Sequence, residues 1–338
     1  MKMILTEKIG IILATYKPNL EYFSKQIQSI KNQTYQNWVC HIVDDSSQLE
    51  YQAVIKKITA DDPRFIFHFH NNNLNHYYNF ERGIKYAIKD KTITAIALAD
   101  QDDIWYPEKL SILIETLRDQ QALLVHSDLE IIDSNDKILH HSTWKFEGRN
   151  PDKLSTDLLL LRNVVTGCSL IFSISLISDI LPFPPQNKIC WYHDWWIALV
   201  AAQKGKIVHI HQPLVMYRIH GLNNVGVTQG AGKFHRELLA WISKKFKITG
   251  NSYLVHRDLS KAFYERFKQE LDIGNWSNPF DDQNLDFGWK IFKLLYKNLL
   301  LSYNSEGIAI RILLLKILFD IQKITQIKNE HKSINYLG

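Results

Sequence analysis

Cysteine is scarce in this sequence: three of 338 residues, Cys40, Cys168 and Cys190. They are widely spaced, without a CxxC pair or a histidine at zinc-site distance, which argues against a disulfide scaffold or a structural zinc centre. Buried free thiols in a reducing compartment are expected instead. Apolar runs of about 18 residues are also missing, so no spanning helix is expected. Met1 to Lys8 lacks the apolar stretch of a secretion signal, and a cytoplasmic location follows as an expectation. Charge of either sign is not in large excess. The formal net charge of +5 does not suggest a nucleic-acid partner, although much of the surplus sits late, in Lys244, Lys245, Lys247 and between Lys290 and Lys328.

What is present has the composition of an ordinary folded chain, with 46% hydrophobic and 22% charged residues. The first half alternates short β-rich runs with helical periodicity. Gly10 to Tyr16, Trp38 to Val43, Phe65 to Phe69, Thr94 to Ala99 and Leu123 to Val125 read as strands, several apolar on both faces, as in a parallel sheet covered by helices. Leu20 to Gln33, Tyr51 to Thr59, Asn79 to Lys89 and Pro107 to Arg118 read as the helices between them. The alternation predicts a doubly wound α/β sheet. After about residue 230 the pattern changes to amphipathic helical segments, Phe234 to Phe246, His256 to Leu271 and Gly307 to Ile327. The expected division is a nucleotide-binding α/β domain over 1–228 and a helical C-terminal extension over 229–338.

Ligands of such sheets bind at the carboxyl ends of the strands, which singles out the polar residues that directly follow apolar runs. Asp100-Gln101-Asp102-Asp103 follows the run ending at Ala99. Carboxylates crowded at a strand end repel one another unless a cation or ligand sits among them, and hard divalent ions favour such oxygens together with phosphates. An acidic helix N-terminus is the plainer reading of Asp103. Asp44-Asp45-Ser46-Ser47 follows a second run; it suits hydrogen bonds to a ribose or base, and equally a helix-capping turn. Asn71 to Gly83 is rich in amides before it enters a helix and could face a sugar or phosphate. Asp194, between His193 and Trp195 at a helix start, is a candidate general base or a cap. Arg218 and His220 end another apolar run, as a candidate phosphate clamp and metal ligand.

In their fixed order, Ala14-Thr15-Tyr16-Lys17-Pro18, Val43-Asp44-Asp45-Ser46-Ser47, Asn79-Phe80-Glu81-Arg82-Gly83, Ala99 to Trp105, Thr166-Gly167-Cys168, His193-Asp194-Trp195 and Tyr217 to Gly221 resemble the family 2 glycosyltransferases of the GT-A fold, in particular rhamnosyltransferase-like bacterial members that build polysaccharides. The resemblance covers residues from about 9 to 227. It implies a Rossmann-like mixed, mainly parallel sheet flanked by helices, and an inverting enzyme. The donor would be a nucleoside-diphosphate sugar, dTDP- or UDP-linked, and the acceptor a saccharide or lipid-linked glycan. It implies that Thr15, Tyr16, Asp45, Asp100, Arg82 and Arg218 bind the donor, that Asp102 and His220 bind Mg²⁺ or Mn²⁺, and that Asp194 is the catalytic base. The chain departs from the family at Leu74-Asn75-His76-Tyr77-Tyr78, where related members often carry glycine; a donor-contacting loop there would alter donor preference.

Two other readings compete. A sugar nucleotidyltransferase would show a glycine-rich loop where Ala14 to Pro18 has no glycine, and a non-catalytic sugar-nucleotide or glycan binder would not need Asp45, Asp102 and Asp194 together. For the tail, Trp289, Phe292, Leu295 and Leu299 beside Lys290, Lys293 and Lys297 fit helices packed on the parent domain or another subunit. They also fit helices laid peripherally on the anionic inner face of a membrane.

Overall fold

The structure is a computed structural model and describes residues 7–186, 191–220 and 251–271. The chain divides into two compact units. The first holds residues 1–154, 163–183 and 192–229; the second holds 155–162, 184–191 and 230–338.

The first unit is built on one curved mixed sheet. Its described strands are β1 (Lys8–Thr15), β2 (Trp38–Asp44), β3 (Phe65–Phe69), β4 (Ile93–Ala99), β5 (Ile104–Trp105), β6 (Leu124–Ile132), β7 (Ile138–His140), β8 (Leu170–Ser173) and β9 (Ile207–Arg218), in the order β3-β2-β1-β4-β8-β6-β9-β5 with β7 beside β6. The ladders β3-β2, β2-β1, β1-β4 and β6-β9 are parallel, whereas β8 lies antiparallel between β4 and β6. Helices α1 (Leu20–Lys31), α2 (Leu49–Thr59), α3 (Asn75–Ala87), α4 (Lys109–Asp119), α5 (Thr143–Glu147), α7 (Ile177–Ile180) and α8 (His193–Lys204) belong to this unit. Helices α6 (Thr156–Leu161) and α9 (Asn251–Phe267) belong to the second.

Strands buried on both faces explain the unbroken apolar runs. Ile9, Ile11 and Leu13 of β1 share a core with Phe23, Ile27 and Ile30 of α1 and Leu110, Leu113 and Leu117 of α4. The alternate residue Ile12 points to α3, where a Cβ built on Gly83 would stand 2.2 Å from the Ile12 Cγ2 and 3.1 Å from that of Val43. Gly83 therefore sets how closely α3 approaches the sheet. Gly83→Ala is expected to lower stability by about 1–3 kcal/mol through overpacking, more than the helix propensity of alanine returns. Thermal unfolding checks this: a melting temperature several degrees lower is expected, and an unchanged one would show that the sheet has room to give.

Three expectations are corrected. The helix expected from Asn79 begins at Asn75, whose own side chain accepts from the Tyr77 and Tyr78 amides (3.0 and 3.4 Å) and so builds a first turn that periodicity does not mark. The strand expected to end at Val125 continues to Ile132. Its buried Asp128 and Glu130 break the apolar pattern but are satisfied, Asp128 by the Leu129 and Trp144 amides (2.8 and 3.1 Å) and Glu130 by Tyr106 and His141. Strand β9 was not expected at all. Two histidines and Pro213 interrupt it, and the proline sits where its register against β6 shifts.

In the second unit, Ser155 caps α6 through the Leu158 amide, the carbonyl of Leu160 meets the His256 Nδ1 of α9 at 3.1 Å, and Leu259, Phe263 and Phe267 are buried. The reading of His256 to Leu271 as helical matches α9 over most of its length. The segments 234–246 and 307–327, the Trp289 stripe and Cys190 lie outside the described residues.

Candidate active site

The carboxyl ends of β1, β2 and β4 bring three of the expected motifs together. After β1 the chain turns at Lys17, which has a left-handed φ of 43°, and the exposed Tyr16 is clipped to Gln101 of the acidic motif: its amide donates to the Gln101 Oε1 at 2.8 Å. The Thr15 hydroxyl is buried and donates to Asp44 (3.0 Å), which also takes the Ser47 amide and hydroxyl (2.7 and 2.6 Å). The Thr15 side chain ties β1 to β2.

Asp45 is 2% exposed. One oxygen accepts the Leu74 amide at 2.9 Å and the Arg82 Nη1 at 3.3 Å, while burial pushes its carboxyl above the usual range. Arg82 also donates to the Asn72 carbonyl (3.3 Å), so it braces the loop that enters α3. The stretch 74–78, where the sequence departs from the family pattern, thus begins on Asp45.

The acidic motif follows β4. Asp102 is paired with His220 beyond β9, Oδ2 to Nε2, at 2.7 Å. Asp103 is fully buried, accepts the Arg218 amide at 3.1 Å and is pushed up to about 7, first by burial and then by the charge of Asp102. Asp100 is raised further, by burial and by the charges of Asp103, Asp102 and Asp194 in that order. The charge of Asp194 therefore reaches the motif, and the two acidic elements that the sequence separates by more than ninety positions share one electrostatic neighbourhood.

Arg218 is corrected. It is 0% exposed, and its guanidinium donates to the backbone carbonyls of Asp102 (2.8 Å) and Asp133 (3.0 Å), pairs with Asp136 and stacks over the Tyr22 ring at 4.3 Å. It is a brace for the Asp102 backbone, not a clamp turned to a ligand's phosphate.

Asp194 opens α8 with both oxygens occupied: Oδ1 accepts from the Asn163 Nδ2 at 3.0 Å and Oδ2 from the Gly167 amide at 2.9 Å. Burial lifts its carboxyl to about 6, opposed by those donors, the Trp195 amide and the charge of Arg149. Arg149 is held by Glu147 and donates to the Thr166 hydroxyl at 3.0 Å. Gly167 is required by proximity, since a Cβ there would stand 2.7 Å from the His193 Nε2. Asn163 and Arg149 carry no motif and escape sequence reading; Gly167 was flagged only as part of a matching stretch. The same holds for Lys109. This fully buried lysine lies 3.2 Å from the centre of the Trp105 ring and donates to the Cys168 carbonyl (2.6 Å), and burial lowers it to about 7 beside Asp103 and Asp100.

The donor set fits a hard divalent ion. Carboxylates raised by one another's charge are the arrangement a cation relieves, and one oxygen of the buried Asp103 has no hydrogen-bond partner among the described residues. Ligand atoms of Asp100, Asp103 and Cys168 also converge within 4.8 Å. The Cys168 thiol, however, is pushed well up by burial and by both carboxylates, and a protonated thiol is a poor ligand. The oxygens that converge are therefore those of Asp100 and Asp103, while Asp102 and His220 stand as a pair at 2.7 Å.

The mixed α/β sheet with flanking helices is similar to that of GT-A glycosyltransferase structures. The Glycosyl transferase family 2 profile matches residues 11–178. An uncharacterized glycosyltransferase of Methanocaldococcus jannaschii is 30% identical over 227 residues, 64% of this chain and 72% of that protein. The chain belongs to glycosyl transferase family 2. It is also similar to the UDP-Glc:alpha-D-GlcNAc-diphosphoundecaprenol beta-1,3-glucosyltransferase WfgD of Escherichia coli, 27% identical over 199 residues, 57% of this chain and 69% of that one. It spans 66% of a Nostoc glycosyltransferase to which it is 30% identical over 224 residues, and only 27% of a Rickettsia bellii glycosyltransferase. Among solved structures, S. aureus TarS residues 1–349 in complex with UDP superposes with a TM-score of 0.54 at 12% identity, covering 86% of this chain and 70% of that one, a likeness of fold.

Proposed function

We propose that this chain is an inverting glycosyltransferase that moves a sugar from a nucleoside-diphosphate sugar to a hydroxyl of a saccharide or lipid-linked glycan acceptor. The observation that supports the reading is geometric: Asp194 accepts the Gly167 amide at 2.9 Å, and the ligand atom of the next residue, Cys168, lies within 4.8 Å of those of Asp100 and Asp103.

In this scheme Asp45, with Arg82 and the loop begun at Leu74, receives the ribose or base, and the backbone of Thr15 and Tyr16 lines the nucleotide pocket. Asp194, fixed by Asn163 and Gly167, accepts the proton of the acceptor hydroxyl while that oxygen bonds to the anomeric carbon. The anomeric bond to the diphosphate breaks on the opposite face and its electron pair leaves with the phosphate oxygen, inverting the centre. Mg²⁺ or Mn²⁺, when held by Asp102 and His220 with Asp100 beside them, would supply Lewis-acid neutralisation of charge on the departing diphosphate. Arg218 keeps the Asp102 backbone in place.

The sequence resemblance favours dTDP-rhamnose as donor, whereas the relative from E. coli is named for UDP-Glc. A thermal-shift screen of UDP, dTDP and GDP and their sugars with Mn²⁺ separates these, because a ligand of the folded state adds to its stability by mass action, about 2.7 kcal/mol at a hundred times its Kd, and so raises the melting temperature. At least one nucleotide is expected to stabilise the chain in a metal-dependent way. No stabilisation by any of them would overturn the proposal. For location, the buried free thiols of Cys40 and Cys168 suit the cytoplasmic side. No described helix is long and apolar enough to cross a membrane, and peripheral contact through the 229–338 extension remains part of the proposal.

A further inference from the structure

A second cluster of metal-ligating side chains lies on the same sheet, away from the acidic motif. His209 and His211 alternate on β9, so their rings leave the same face of the strand, ahead of the Pro213 irregularity. Asp152, in the 3₁₀ turn Pro151–Lys153, reaches up to both: one oxygen, Oδ1, lies 2.8 Å from the His209 Nε2 and 3.4 Å from the His211 Nε2. The three ligand atoms fall within 4.8 Å of one another. A tetrahedral ion with bonds of about 2.0–2.2 Å sets its ligand atoms roughly 3.3–3.5 Å apart. The His211 to Asp152 separation already has that value and is long for a hydrogen bond; the His209 pair needs only a small opening.

The surroundings also hold the rings in place. Trp144 packs edge-on against both, at 6.1 and 5.9 Å between ring centres, and the two imidazoles lie 5.0 Å apart. Behind them His126 of β6, paired in register with His209, is fully buried, with neither ring nitrogen hydrogen-bonded among the described residues. His211 and Asp152 are well exposed, so an ion arriving from solvent meets an open fourth position.

We propose that Asp152, His209 and His211 form a binding site for a borderline-soft divalent transition metal of the zinc class. Imidazole donors select such ions over Mg²⁺. The ion clips the 151–153 turn to β9, whose outer edge at His209 and His211 pairs with no described strand. The proposal does not depend on the glycosyltransferase reading. Seven residues of strand, roughly 20 Å of extended chain, separate His211 from Arg218 beside the acidic motif.

The test is calorimetric titration of Zn²⁺ into the full chain, into His209→Ala/His211→Ala and into Asp102→Ala. The expected result is one tight zinc site in the wild type, weakened at least about tenfold in the double histidine variant and kept in Asp102→Ala. Without metal the double variant should still melt cooperatively, lowered at most by the loss of the His209–Asp152 pair, and zinc should raise only the wild-type melting temperature. Absent zinc binding, binding equal in the wild type and the double variant, or binding lost only in Asp102→Ala would each overturn the proposal, the last by assigning the zinc to the acidic motif.

Discussion

Asp194→Asn is expected to lower turnover by ~10²–10⁴, about 3–5 kcal/mol in the barrier, while leaving nucleotide affinity nearly unchanged. Both carboxylate oxygens are occupied by donors, Asn163 and the Gly167 amide, so the side chain is fixed before an acceptor arrives, and burial raises its carboxyl to about 6. A base raised to that level is stronger than a surface aspartate and still ionised at neutral pH. The sign for activity follows: below about pH 6 Asp194 is protonated and cannot take the acceptor's proton, so kcat/KM should fall about tenfold per pH unit there. The residual activity of the asparagine variant should lack that limb. Equal turnover in the variant, or the same acidic limb, would remove Asp194 from the reaction. The amide also sets one N–H against a donor that the carboxylate accepted, which costs about 1–2 kcal/mol of stability. Nucleotide binding therefore serves as the control for folding.

Asp102→Ala is expected to abolish the metal dependence of nucleotide binding and to weaken UDP in the presence of Mn²⁺ at least about tenfold, ~1.4 kcal/mol. Asp102 is partly exposed, as is Asp100, and is joined to His220, whereas Asp103 is fully buried and occupied by the Arg218 amide. Loss of Asp102 removes one negative neighbour from Asp100 and Asp103, so their carboxyls should relax downward and the fold should not suffer. Titration of UDP with Mn²⁺ and with a chelator checks this. Chelator sensitivity that persists in the variant would place the ion elsewhere.

The parts of the fold legible in the sequence are those whose physics is local. β1, β2 and β4 are apolar on both faces, and α1 and α4 carry their own periodicity. Turns rich in Asp and Ser fell at strand ends, where a doubly wound sheet presents them. Less legible were the parts decided by partners distant in the chain. β9 looks like a polar loop because His209, His211 and Pro213 are tolerated only beside β6. Asp128 and Glu130 look unsuited to a strand until Ser142, Tyr106 and His141 are found around them. Within the site, Asp102 and His220 are paired at 2.7 Å and Asp194 stands in the first turn of α8. The direction of Arg218 could not be read, because the groups that hold it, Asp133 and Asp136, lie some eighty positions earlier. The donors to Asp194 come from a loop whose only sequence mark is Gly167, and Asn163 and Arg149 gain meaning only from geometry.

In a crystal structure of the chain with UDP and Mn²⁺, the ion is expected on Asp102, the diphosphate beside it, the uridine against Asp45, and the Asp194 carboxylate facing the open side of the β-phosphate, where the anomeric carbon would lie. A nucleotide bound with its phosphates remote from Asp102, or with Asp194 closed off behind protein from the β-phosphate, would contradict the proposed function.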